Sequence, residues 1–269
     1  MCKSLAEGGR RCRGSGPAVR RARYAVTKSA AARTLEKAIS QNEIDVHSDA
    51  YATYLKARAA ADMGRVAALS GDSDAAAEWA LKAKLDMQRA AQQVAEATKR
   101  RIRVEETNRL IEVALERVNP KYEPGNHDYT ENCSNVVQAY ELRRRGMDVQ
   151  AGPKTGFPNF VMEATWGGKY HYVEPGLDHG KSAVEAAFSE PGSRGIVYVA
   201  WKSGGAHVFN VENVGGRVRF VDGQPTPHVT DASHYFALSK MCGYLRIDDK
   251  PSPPQESPAI LLAIRPANS

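Results

Sequence analysis

The chain has 269 residues, 42% hydrophobic and 25% charged, enough apolar content for one large globular domain or two ordinary ones. No run of about 18 apolar residues occurs, which excludes a membrane-spanning helix, and Met1-Cys2-Lys3-Ser4-Leu5 leads into Gly and Arg rather than a secretory signal core. The net charge of +6 is concentrated at one end: residues 1–33 hold nine Lys and Arg against Glu7 alone, so the rest of the chain is slightly acidic.

Residues 1–33 read as a basic, Gly- and Ser-rich disordered leader. Such a leader suits an acidic partner, and its one aromatic, Tyr24, offers no base-stacking surface. Cys2, Cys12, Cys133 and Cys242 form no C-x-x-C pair and have no His at zinc-like spacing, so no metal or other cofactor is expected. Free thiols in a reduced chain are the simpler reading, a Cys2–Cys12 bridge the other. The protein is then cytoplasmic when made, and delivery to a target cell would use machinery other than the secretory signal route.

Residues 34–119 form the second expected domain, an α-helical hairpin arm. A short helix over 34–41 precedes one from the N-cap candidate Ser48 to Leu69, with Tyr51, Leu55, Ala59, Met63 and Val66 as its apolar face. Ser70-Gly71-Asp72-Ser73 turns the chain into a long helix from about Asp74 to Val118. Its apolar stripe is Trp79, Leu81, Leu85, Val94, Ile102, Leu110, Ile111 and Leu115, thinning near Lys99–Arg103, where a break is possible. His47 is a lone surface histidine. Asn119-Pro120 ends the helix and sets the domain boundary.

Residues 120–269 read as an α+β domain, a Cys-bearing helix packed on an antiparallel sheet. Asn132 is an N-cap candidate, and Cys133 follows at the positive end of the helix dipole, one of the settings that activates a thiol. Arg143-Arg144-Arg145 suit the negative end, and Gly146 a left-handed C′ position. Residues 147–180 are loop-rich, and Lys181–Glu190 is a short helix. Three strands follow, Gly195–Trp201, Ala206–Asn213 and Arg217–Asp222, with a last strand at Ala259–Ile264.

Strand pairing tests the cysteine. If Gly215-Gly216 is the turn, His207 faces Gln224 and Asp222 is its diagonal neighbour; if Val214-Gly215 is the turn, His207 faces Asp222 directly. Either turn puts the two on one face, and a three-residue loop would separate them. Each residue alone has a plainer reading: a small buried thiol, an edge histidine, a turn aspartate before Gly223. Together they match cysteine, base and orienting acid in Cys-His-Asp nucleophilic catalysis. The Cys133 N–H is a natural oxyanion donor; Asn132 and Gln224 are the candidate polar groups beside it, without a named second donor. His127, His171, His179, His228 and His234 lie in loop-like segments without paired acids. Trp166 and Trp201 serve the core or a substrate groove, and Cys242 is a buried thiol.

Four separated motifs occur in order: Asn132-Cys133 through Gly146-Met147-Asp148-Val149, Ser193-Arg194-Gly195-Ile196-Val197, Ala206-His207-Val208-Phe209-Asn210-Val211, and Val221-Asp222-Gly223-Gln224. Over about residues 130–226 the chain resembles the papain-fold toxin domain of bacterial polymorphic toxins, a family associated with protein-glutamine deamidation. The resemblance implies Cys133 as nucleophile, His207 as base and Asp222 as the orienting residue. It also implies a protein substrate with a reactive glutamine and an immunity or carrier protein as partner. Val136 stands where the family often has a second, non-catalytic cysteine, and the helical arm lies outside the resemblance. A papain-like peptidase or a transglutaminase-like enzyme shares the same triad. A non-catalytic structural protein, such as a virion-associated one using the arm and basic tail, is the reading from another class.

Overall fold

The computed structural model describes residues 30–41, 44 and 48–267. Cys2, Cys12, His47 and the basic leader up to residue 29 lie outside the described residues. The chain divides into two compact units, Met1–Arg100 and Arg101–Ser269.

In the first unit, α1 (Ala30–Ser40) and α2 (Asp49–Leu69) are followed by the start of α3 (Ser73–Glu116). The Ser48 hydroxyl caps α2 by accepting from the Tyr51 N–H at 3.3 Å, as the sequence suggests. Asp72 does the same for α3, accepting from the Ala75 N–H at 2.9 Å. The expected apolar faces pack only in part: Tyr51 and Val94 meet the core, but most of the large residues do not. Leu55, Met63, Val66, Leu81 and Leu85 are exposed, while Leu35, Tyr54, Ala57, Met87, Ala90 and Val94 form the core. Alanines carry much of the packing: Ala50, Ala57, Ala60, Ala83 and Ala90 are buried, and the larger side chains are left outside. Helix α1, the short helix expected before the hairpin, starts earlier, at Ala30, and joins this core.

Helix α3 continues without a break through Lys99–Arg103, yet the division between compact units falls there and not at Asn119-Pro120. Ile111, Leu115 and Val118 are buried against Val136, Tyr140 and Val221, so the helix end belongs with the second unit's core.

The second unit continues with α4 (His127–Thr130), α5 (Cys133–Arg144), β1 (Val149–Ala151), α6 (Asn159–Trp166), β2 (His171–Val173), α7 (Lys181–Ala187), β3 (Arg194–Trp201), β4 (Ala206–Val214), β5 (Arg217–Val221), α8 (Tyr235–Leu238), β6 (Ser239–Arg246), α9 (Pro258–Ala263) and β7 (Ile264–Pro266). The main sheet is antiparallel with order β2-β6-β3-β4-β5, and β1 pairs β7 separately. On one face Val137 and Leu142 of α5, Trp166 of α6 and Ile260 of α9 cover Ile196, Val208 and Leu245. On the other, Val184, Phe188 and Phe236 cover Val197, Val199 and Phe209. Burial on both faces explains why Ile196–Ala200 is continuously apolar rather than alternating.

Three features differ from the sequence reading. The segment 147–180 is not only loop, since β1, α6 and β2 lie in it. Strand β6, an inner strand between β2 and β3, is absent from the sequence reading; Lys240 and Gly243 interrupt any alternation there. The expected strand at Ala259–Ile264 is mostly helix α9, capped by the Ser257 hydroxyl on the Ile260 N–H with Pro258 in the first turn. The arginines ending α5 do more than face its dipole. Arg144 pairs with buried Glu212 at 3.1 Å and Arg145 with buried Glu141 at 2.7 Å, fixing the helix to the sheet and to its own preceding turn.

Candidate active site

Cys133 is the first residue of α5 and is half-buried with a free thiol. Asn132 precedes it but makes no side-chain cap bond. Its amide instead donates to the Gly152 carbonyl at 2.9 Å and to Asn119 Oδ1 at 3.0 Å, and its own Oδ1 accepts from Gln224 Nε2 at 3.3 Å. The capping expectation is therefore corrected: Asn132 is a fully buried linker between three segments. Because its side chain turns away, the first N–H groups of α5 keep no acceptor from it.

The β4–β5 register pairs Val214 with Arg217, so Gly215-Gly216 is the turn, with both φ values positive at 65° and 98°. Of the two turns weighed from sequence, this is the one that makes Asp222 the diagonal neighbour of His207. The two side chains meet: His207 Nε2 lies 2.8 Å from Asp222 Oδ2. Asp222 is only 2% exposed and is held from several sides. Its Oδ1 accepts from the Gln224 N–H at 2.9 Å, its Oδ2 also accepts from the Tyr235 hydroxyl at 3.1 Å, and its backbone bridges to Val229.

Burial opposes charge on His207, but the Asp222 carboxylate and the neighbouring Cys133 sulfur outweigh it, and the pKa is raised to about 10. The ring is thus an imidazolium at neutral pH. With Nε2 occupied by Asp222, Nδ1 is the nitrogen left for Cys133. Trp201 stacks on the His207 ring at 5.8 Å and 18°, and Tyr235 stands edge-on to it at 5.6 Å. A cleft of about 680 Å³ opens beside the pair, lined by Tyr122, Thr130, Trp201, His207, Gln224 and Leu238 among others. Cys133 is not part of that wall; on its other side it packs with the cluster containing Tyr170 and Tyr198.

Asn119 and Tyr235 belong to this network and were not singled out from sequence. Asn119 reads there as a helix stop, and Tyr235 sits in a stretch without periodicity. Trp201 turns out to flank His207, whereas Trp166 is core. Two other histidines do have acidic partners, contrary to expectation: His127 with Glu131 at 2.9 Å and His228 with Glu112 at 3.2 Å. Cys242 is buried, its thiol donates to the His179 carbonyl, and burial raises its pKa to about 11. Among the described residues, no three His, Cys, Asp or Glu side chains converge as a metal site, and no helix is long and apolar enough to cross a membrane.

A helix headed by a cysteine and laid on an antiparallel sheet that carries a His–Asp pair is a papain-like architecture. Residues 131–226 match the family model for papain fold toxin 1, glutamine deamidase. The matched segment includes Cys133, His207, Asp222 and Gln224 and stops short of Tyr235. No curated protein and no solved structure matches the chain.

Proposed function

We propose that the second unit is a cysteine-dependent protein-glutamine deamidase acting as a toxin or effector on a protein target. The observation that carries the reading is the 2.8 Å His207–Asp222 bond, with Cys133 acting on the same imidazole, inside a segment matching a deamidase family.

In this mechanism the Cys133 sulfur, as the anion paired with imidazolium His207, attacks the side-chain amide carbon of a glutamine. Negative charge moves to the amide oxygen, which the Cys133 N–H at the start of α5 receives. His207 gives its proton to the nitrogen, ammonia leaves, and a thioester remains on Cys133. The now neutral His207 takes a proton from water, hydroxide adds to the thioester, and the collapse releases glutamate and restores the ion pair. Asp222 holds the ring by Nε2 throughout and keeps its charge. Gln224 and Asn132 act as the buried floor that sets Asp222 and the start of α5, since their amide groups are engaged with each other. The cleft beside His207 suits the chain flanking the glutamine.

The test is incubation of the purified protein with candidate target proteins, followed by ammonia assay and mass spectrometry. Ammonia release and the roughly one-dalton gain of amide-to-acid conversion, both lost in Cys133→Ala, are the expected result. Peptide cleavage without ammonia would replace this reading with a peptidase.

A further inference from the structure

Tyr235 lies beyond the segment that matches the deamidase family, on the short helix α8. Its hydroxyl donates to Asp222 Oδ2 at 3.1 Å, the same oxygen that receives His207 Nε2 at 2.8 Å. Asp222 Oδ1 is already held by the Gln224 N–H at 2.9 Å. With one donor on Oδ1 and two on Oδ2, rotation of the carboxylate breaks at least one of these bonds. The ring of Tyr235 is perpendicular to His207 (5.6 Å, 80°) and to Trp201 (5.5 Å, 86°), while Trp201 lies parallel to His207. The imidazole is boxed by one flat face and one edge. Burial and the Asp222 charge push the phenol pKa upward, so Tyr235 remains a donor wherever Asp222 is charged.

We propose that Tyr235 is a positioning residue: its hydroxyl fixes the Asp222 carboxylate and its ring fixes the His207 plane, aiming Nδ1 at Cys133. A carboxylate bonded only to an imidazole can pivot, and the imidazole pivots with it; the third contact removes that motion. The catalytic consequence rests on the deamidase reading, whereas the effect on His207 does not.

Tyr235→Phe keeps the ring and removes only the hydroxyl, so it isolates the bond to Asp222. In the full chain, the His207 ring is followed by NMR titration, assigned by the resonance missing from His207→Ala. Glutamine-amide hydrolysis and thermal unfolding are measured alongside, each also in Asp222→Asn and in the double variant. The expected result is a shifted His207 titration midpoint in Tyr235→Phe, a fall in Asp222→Asn, and no further shift in the double variant. On activity, kcat drops about 10- to 100-fold in Tyr235→Phe, the cost of losing a hydrogen bond to a charged group, with KM nearly unchanged. A His207 titration identical to wild type, or a double variant whose effects simply add, overturns the proposal, even if thermal stability falls. If the wild-type protein hydrolyses no glutamine amide, the deamidase reading fails, and the titration series still decides the role of Tyr235.

Discussion

Asn119 and Asn132 hold each other through their side-chain amides: Asn132 Nδ2 donates to Asn119 Oδ1 at 3.0 Å, and Asn119 Nδ2 returns a longer bond at 3.4 Å. Asn119 also donates to the backbone carbonyls of Gln224 and Tyr129. Asn119, three residues past the end of α3, is thus wired to the residue before Cys133 and to the residue two after Asp222. Both are buried, and removing either side chain leaves buried polar groups without their partner.

This wiring predicts where the second unit can be cut. A fragment beginning at Arg101 should unfold in one cooperative transition. One beginning at Pro120 lacks Asn119 and the buried side chains of Ile111, Leu115 and Val118. At about 1.5–3 kcal/mol for each buried side chain, the loss rivals the whole stability of an ordinary domain. Circular dichroism during thermal or urea unfolding distinguishes the two; equal stability of the fragments would show that the helix end is dispensable.

Cys133→Ala should abolish amide hydrolysis by about 10⁴-fold or more while shifting the unfolding midpoint little, because the thiol is half-buried and only its sulfur is removed. The matched measurement is turnover and melting on the same preparation. A variant retaining a tenth of wild-type activity would mean that the nucleophile is elsewhere.

The ion pair sets a pH window. His207 is charged up to about pH 10 in the folded chain, against 6.5 for an ordinary histidine. A raised pKa means that the folded state binds the proton more tightly. The stabilisation is therefore complete below about pH 6.5 and is lost as pH rises through about 10. Activity as a general acid should fail over the upper end of the same range, giving an alkaline limb near pH 10 in kcat. In Asp222→Asn the main support for the charge is gone while burial remains, so the limb should move to lower pH and kcat fall by about 10²–10⁴-fold. A pH profile of the variant superimposable on wild type would contradict the pairing.

Gly223 stands between Asp222 and Gln224 with no room for a side chain. A Cβ there would lie 2.5 Å from Val118 Cγ1 and 3.3 Å from Leu115 Cδ2, both on fully packed residues. Gly223→Ala should destabilise by about 1–3 kcal/mol through overpacking. It should also lower activity at temperatures where the fold persists, since the strain is relieved by moving Asp222 or Gln224. Urea unfolding and turnover at low temperature separate the two effects.

The parts of this fold legible in the sequence are those in which local signals and burial agree. Ser48 marks an element start, and the glycines at 215 and 216 limit the hairpin to two short turns, either of which brings His207 and Asp222 to one face; the structure selects Gly215-Gly216. Misreadings came where packing overrides hydrophobicity. Leu55 and Met63 form the better apolar stripe by composition, yet Ala57 and Ala60 are the residues that are buried. Ala259–Ile264 has a strand's composition, but the Ser257-Pro258 start imposes a helix. Tyr235 was invisible because its contribution is one hydroxyl delivered by tertiary structure, with no periodicity to announce it. Asn132 was legible as important but for the wrong reason: its side chain spans segments instead of closing the helix.

Strand β6 sits between β2 and β3, although it follows every catalytic candidate in the chain. A ribosome-bound chain that has emerged only as far as Asp222 therefore has the β3–β4–β5 meander available but one side of β3 unpaired, and Tyr235 is not yet present. Such a nascent chain lacks both the strand that completes its sheet and the phenol that steadies its imidazole. Until β6 is made, the open flank of β3 is an unpaired strand edge, the kind of surface through which incomplete chains associate.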